Sequence, residues 1–255
     1  LFAGVMPGQV IADLPRDATS EAALDALLAA RGSEIAAMLV EPLIQGAGGM
    51  LLHPPEVLRA LRRLADKHGV LLIFDEIFTG FGRTGSLFAM QAANVEPDIV
   101  TLSKALTGGT LPLSAAVARR HVCEAFWSDD PQAALMHGPT YMANPLACAA
   151  ANASLDLFED GAWAYEVARV SIALTEGLEP CRAGKGVVDV RTLGAIGVVE
   201  FEEPVAVSDL CARFAALGAW IRPMGKVVYL TPAFMTPDDD LALLTRAVRQ
   251  VVGVD

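Results

Sequence analysis

Twice in the first hundred residues, leucines at helical spacing give way to a short, almost wholly apolar segment that stops at an acidic residue, and this repeated order constrains the fold most. Leu24, Leu27 and Leu28 keep helical spacing before Ala36 to Val40, which ends at Glu41-Pro42. Pro55 then suits a helix start, Val57, Leu61 and Leu64 share one face, Gly69 suits the stop, and the strand Val70 to Phe74 runs into Asp75. A loop punctuated by Gly80, Gly82 and Gly85 and a short helix near Leu87 to Ala93 lead to a third strand, Ile99 to Leu102, just before Lys104. Apolar strands alternating with helices imply an α/β fold whose mostly parallel sheet is covered on both faces. Ligands gather at the carboxyl ends of strands in such sheets, where Glu41, Asp75 and Lys104 all fall.

After Asn144-Pro145 the pattern changes. Helical runs from Leu146 to Phe158 and from Trp163 to about Leu178 are followed by shorter strands at Val187 to Val190, Ile196 to Phe201 and Val227 to Leu230. Helices read at Ser208 to Leu217 and Asp238 to Val252 complete a smaller α+β lobe. The expected organisation is a large domain over 1–158 and a small C-terminal domain over 159–255.

With 53% hydrophobic and 19% charged residues, the 255-residue chain can bury a large core. A net charge of -11 without a Lys/Arg cluster argues against a nucleic-acid partner. Cys123, Cys148, Cys181 and Cys211 are dispersed, with no CxxC, which favours a reduced, cytoplasmic setting. His53, His68, His121 and His137 lack metal-ligand spacing, so no metal site is expected. No apolar stretch reaches the roughly 20 residues of a membrane span. The opening Leu1-Phe2-Ala3-Gly4-Val5-Met6-Pro7 shows no signal-peptide pattern, and the chain reads as part of a longer one.

Lys104 and Asp75 carry the chemistry. A lysine at a strand end among small residues has what a Schiff-base lysine needs, an apolar setting that depresses its pKa and open backbone around its amine. An acid on a neighbouring strand end suits the pyridine nitrogen of pyridoxal phosphate, whose proton makes the ring an electron sink. Taken singly, each also reads as a solvated lysine or a helix-capping aspartate.

Asp75-Glu76, then Gly80-Phe81-Gly82-Arg83-Thr84-Gly85, then Ser103-Lys104-Ala105-Leu106, in that order, resemble the class III aminotransferases of pyridoxal-phosphate fold type I. Leu106 to Ala115, His137 to Cys148, and Trp220 to Lys226 narrow the resemblance to the members that aminate 8-amino-7-oxononanoate in biotin biosynthesis, usually with S-adenosylmethionine as donor and lysine in some. The resemblance implies that Lys104 is the cofactor lysine and Asp75 the partner of the pyridinium nitrogen. Thr140, with Pro139, would hold the cofactor phosphate across a homodimer interface, and Gly138 would line the substrate pocket. Arg222 would clamp the substrate carboxylate, although Met224 stands near it where the family has phenylalanine. Arg83 would take part in choosing the amino donor. The family's Gly-Ser phosphate turn and its ring-stacking aromatic would lie upstream of Leu1, so that this portion alone would be inactive.

Read from residues alone, Thr140 is equally a turn residue, Arg222 a surface ion-pair partner, Arg83 a loop-fixing cation and Glu41 a cap or a solvated acid. Three other functions stay open at this point: a class III enzyme for ornithine, 4-aminobutyrate or a diamine, a non-catalytic dimerisation or binding module, and a Schiff-base aldolase, which needs no pyridinium partner.

Overall fold

The computed structural model describes residues 8–254; the opening segment 1–7, read above for targeting signals, lies outside them. Helix α1 (Ala18–Arg31) begins at Asp17, whose carboxylate accepts from the Ser20 N–H while the Ser20 hydroxyl accepts from the Asp17 N–H. This reciprocal cap satisfies two amides that a helix start leaves unpaired. Strand β1 (Ala37–Val40) follows, then a two-stranded hairpin, β2 (Ile44–Gln45) with β3 (Leu51–Leu52). Helix α2 (Pro55–His68) has proline at its first position and ends at Gly69, whose φ of 66° is left-handed. Its buried Val57, Leu58, Leu61 and Leu64 face the core, as their spacing predicts.

Next come β4 (Leu71–Asp75), the one-turn α3 (Met90–Ala93), β5 (Ile99–Leu102), a 3-10 turn over Lys104–Thr107, and β6 (Ala115–Ala118). The sheet order is β1-β4-β5-β6, with parallel pairing except where β6 runs antiparallel to β5. Sequence reading missed β6, because Ala-Ala-Val-Ala carries little strand signal.

Among the described residues, cover is found on one face of the sheet. Along β4, Leu72 and Phe74 are fully buried while Leu71, Ile73 and Asp75 are half-buried, and Leu39 of β1 and Val117 of β6 are 67% and 56% exposed. Helices α1 and α2 pack one face, and no described helix seals the other. Uniform apolarity shows that both faces shun water, but not which chain segment covers each.

The remaining elements are α4 (Arg120–Glu124), α5 (Pro145–Asp156), α6 (Ala162–Leu178), β7 (Val187–Leu193), β8 (Ile196–Phe201), α7 (Val207–Ala216), β9 (Val227–Leu230) and α8 (Asp238–Val252). Strands β7, β8 and β9 form an antiparallel sheet with β8 at its centre. One face, with Val190, Val199 and Val228, packs on Val170, Leu174 and Val248 of α6 and α8. The opposite face, with Ile196, Val198 and Val227, packs on Ile44 and Met50 of the β2–β3 hairpin. Period-two alternation therefore explains why β8 is apolar at almost every position: its two sides serve two cores. Among the described residues, no helix is long and apolar enough to cross a membrane.

A second join is polar. Arg191 of β7 donates from Nε to the Met50 carbonyl and from Nη2 to the Gly49 carbonyl, both at 3.0 Å. Near the same hairpin, the buried His53 lies with Nε2 3.0 Å from the Glu41 carbonyl, so that nitrogen carries the proton, and Nδ1 has no partner. Burial holds this imidazole below its usual range of about 6.5.

Two predictions follow from the packing. In the full-length protein, Phe74→Ala, which empties a site at 0% exposure, lowers the free energy of unfolding by about 3–5 kcal/mol in urea titration; a loss below about 1 kcal/mol contradicts this core assignment. His53 has a depressed folded pKa, so the unfolded chain takes its proton first and stability falls as pH drops through the range of a free imidazole. His53→Asn therefore flattens the dependence of stability on pH between about pH 8 and about pH 6, and an unchanged slope contradicts the assignment.

Candidate active site

Parallel pairing sets Asp75 opposite Thr101 at the carboxyl ends of β4 and β5, and Lys104 follows three residues later. The Asp75 carboxylate accepts at Oδ1 from the Ile77 N–H (3.0 Å) and from the Thr101 hydroxyl (3.2 Å). Oδ2 makes no hydrogen bond among the described residues and stays available to a ligand. Both Asp75 and Lys104 act electrostatically on Glu41 at the end of β1, so the three strand ends share one polar neighbourhood. Burial raises the Glu41 pKa, offset in part by the Gly46 N–H donated to its Oε2 at 2.8 Å.

Lys104 opens the 3-10 turn with φ 42°, a left-handed conformation that an L-residue adopts at a cost of order 1 kcal/mol. Neighbouring bonds hold the turn in place. The Ser103 hydroxyl donates to the Leu113 carbonyl (2.8 Å), Thr107 to the Leu111 carbonyl (2.6 Å), and Ser154 of α5 to the Ala105 carbonyl (3.2 Å). Lys104 itself is exposed, against the expectation of an apolar enclosure, and its Nζ lies 5.1 Å from the centroid of the Phe78 ring. One aromatic face thus replaces the closed apolar setting.

The amine opens onto a cavity of about 770 Å³ whose walls include Phe78, Arg83, Trp163, Phe234 and Met235. Such a volume, mostly apolar with a few polar groups, suits a small organic ligand. Arg83 is partly buried and has no carboxylate partner among the described residues. Its Nη1 donates to the carbonyls of Ala195 (3.0 Å) and Pro232 (2.8 Å), and its guanidinium lies 4.7 Å from the Phe234 ring centroid. Loss of water without a counter-charge pulls its pKa down to about 10, so it stays cationic at neutral pH.

The loop bearing Arg83 is anchored from beneath. Glu76, fully buried, accepts from the N–H groups of Ala89 (2.8 Å) and Met90 (2.9 Å) and from the Thr79 hydroxyl (3.1 Å). Desolvation raises its pKa while those donors oppose the shift.

Lys104 and Arg83 thus line one cavity, with Asp75 at the adjoining strand end. Gly138, Pro139, Thr140 and Arg222 are not brought there. Gly138, Pro139 and Thr140 lie exposed in an irregular segment that leads into a turn closed by the Met142 N–H on the Pro139 carbonyl (2.9 Å). Arg222 is exposed just after the buried Ile221, with no hydrogen bond or ion pair among the described residues.

Phe78, Thr101, Trp163 and Phe234 were not singled out by sequence. Thr101 was accessible in principle, since aligning the ends of two parallel strands puts it beside Asp75. Phe234, whose ring lies beside the Arg83 guanidinium, comes from a distant segment of the chain and gave no local signal.

Comparison with known proteins agrees with this geometry. The family model described as Aminotransferase class-III matches residues 6–252. The chain is 43% identical to an adenosylmethionine-8-amino-7-oxononanoate aminotransferase of Mycobacterium leprae, with 100% of this chain and 59% of that protein aligned. It is 40% identical to the protein of the same name from Corynebacterium glutamicum, over 99% of this chain and 61% of that protein. The chain therefore spans about three fifths of these relatives' length. An amine transaminase from an uncultivated Pseudomonas species, solved in its PLP-bound form, superposes with a TM-score of 0.84 at 32% identity, covering 91% of this chain and 55% of that one. A family match over nearly every residue, joined to a lysine and an aspartate at adjacent strand ends, places the chain in the class-III aminotransferase family.

Proposed function

We propose that the protein is a pyridoxal-phosphate-dependent transaminase that aminates 8-amino-7-oxononanoate to 7,8-diaminononanoate, with S-adenosylmethionine as donor, in biotin biosynthesis. The observation that carries this reading is the pairing of Asp75, with its unused carboxylate oxygen, and the conformationally strained Lys104 at neighbouring strand ends. The substrate assignment rests on the two relatives of that name.

The donor set fits the cofactor. Asp75 offers a free acceptor for a pyridinium N–H, and Lys104 offers a primary amine at an open cavity. When bound, pyridoxal phosphate supplies an aldehyde for amines and a protonated ring that takes up the electron pair of a breaking C–H bond. Asp75 holds the proton on the ring nitrogen. Lys104, once its amine is free, takes a proton at Nζ and returns it, as a general base and then a general acid.

The remaining roles follow the family resemblance. Arg83 offers a partly desolvated cation to the carboxylate of the amino donor, and Arg222 offers a guanidinium to the carboxylate of the oxononanoate. Thr140 and Pro139 bind the cofactor phosphate, and Gly138 leaves room for substrate, in the site of a second copy. Exposed Leu135, Met136, Tyr141, Met142 and Leu146 surround them and supply apolar surface for a homodimer contact. The large domain over 1–158 and small domain over 159–255 then flank each site.

The full-length protein with pyridoxal phosphate should form 7,8-diaminononanoate from 8-amino-7-oxononanoate and S-adenosylmethionine. Turnover with ornithine or 4-aminobutyrate and none with the oxononanoate would refute the substrate assignment. Lys104→Ala should reduce kcat by at least about a thousandfold. Asp75→Asn should reduce it by at least about a hundredfold, while a loss below about threefold in either variant contradicts the assigned role.

A further inference from the structure

The β7–β8 connection has only two residues, Gly194 and Ala195, and its tip presses against the loop that bears Arg83. Gly194 has φ 54°, the positive value that a two-residue hairpin of this kind asks of its first residue. A Cβ placed on Gly194 would lie 2.5 Å from the Arg83 carbonyl oxygen, 2.5 Å from the Thr84 carbonyl carbon and 2.6 Å from the Gly85 nitrogen. All three are backbone atoms, so no side chain can swing aside to make room. The next residue completes a reciprocal pair: the Ala195 N–H donates to the Arg83 carbonyl at 3.0 Å, and Arg83 Nη1 donates to the Ala195 carbonyl at 3.0 Å.

Among the described residues, the hydrogen bonds of the Arg83 guanidinium go to carbonyls of the β7–β9 lobe, Ala195 and Pro232, although the residue itself belongs to the loop after β4. Its place on the cavity wall beside Lys104 depends on how closely the hairpin tip approaches. We propose that Gly194 is the positioning residue for Arg83: the absence of a side chain at the hairpin tip sets the guanidinium where it meets the carboxylate of the amino donor. This rests on the reading of Arg83 given above. Gly194 touches no reacting atom and acts only through the loop.

Gly186 provides the control. It lies in the turn before β7, has φ 77°, and has no atom within 4 Å of an added Cβ. Gly186→Ala thus imposes a similar backbone strain on the same lobe without the collision. Both alanine variants and Arg83→Ala are made in the full-length, cofactor-loaded protein. Propionate binding is followed by tryptophan fluorescence, and KM for the donor and kcat are measured separately.

Gly194→Ala should weaken propionate binding and raise the donor KM by about tenfold each, with kcat within about twofold, the scale of one compromised charge-assisted hydrogen bond. Gly186→Ala should change none of these. Unchanged propionate affinity in Gly194→Ala, while Arg83→Ala loses it, overturns this inference alone. Equal losses in the two glycine variants, or a fall in kcat as large as the rise in KM, also overturn it by showing general loosening. A donor KM left unchanged by Arg83→Ala refutes the reading of Arg83 and this inference with it.

Discussion

The site depends on the parallel register of β4 and β5. Asp75 pairs with Thr101, and Lys104 follows only three residues after Thr101. A register shifted by one residue would turn the Asp75 side chain to the opposite face and remove it from the lysine's side of the sheet. The buried Leu72 and Phe74 oppose a one-residue slip, which would expose both and bury the half-exposed Ile73 and Asp75 in their place. Packing in the core and placement of the reactive groups are thus one constraint.

Much of this was legible before any coordinates. The helix-strand alternation, the glycine stop at Gly69, the short strands and helices after Lys185 and the strand-end positions of Glu41, Asp75 and Lys104 were all carried by local periodicity or turn chemistry. What sequence could not supply was long-range. The β2–β3 hairpin that bridges the lobes, the carbonyl partners of Arg83 and the Phe234 ring beside it come from segments far apart in the chain. Strand β6 was missed for a local reason, since one valine among three alanines gives a weak strand signal, and pairing with β5 decides the outcome. Among the described residues Lys104 is exposed, and the Phe78, Trp163 and Phe234 side chains that share its cavity come from segments far apart in the chain.

The two lobes are joined chiefly by apolar packing and by guanidinium bonds to main-chain carbonyls. Arg191 reaches the Gly49 and Met50 carbonyls from β7, and Arg83 reaches the Ala195 and Pro232 carbonyls from the loop after β4, while Ile44 and Met50 pack on Ile196, Val198 and Val227. Carbonyls satisfy the donors without cancelling the charge. Arg191 is paired with Asp189 and Glu200, while Arg83 has no such partner among the described residues, and a partly buried cation without an anion favours an incoming carboxylate. Fixing a guanidinium to the scaffold while sparing its charge is a direct way to make an anion-attracting wall inside an apolar cavity.

Reduction with borohydride after incubation of the full-length protein with pyridoxal phosphate, followed by peptide mass mapping, tests the central claim most directly. The account predicts one modified lysine, Lys104, and loss of the label in Lys104→Ala. Label confined to Lys67, Lys185 or Lys226, or no label at saturating cofactor, would contradict it.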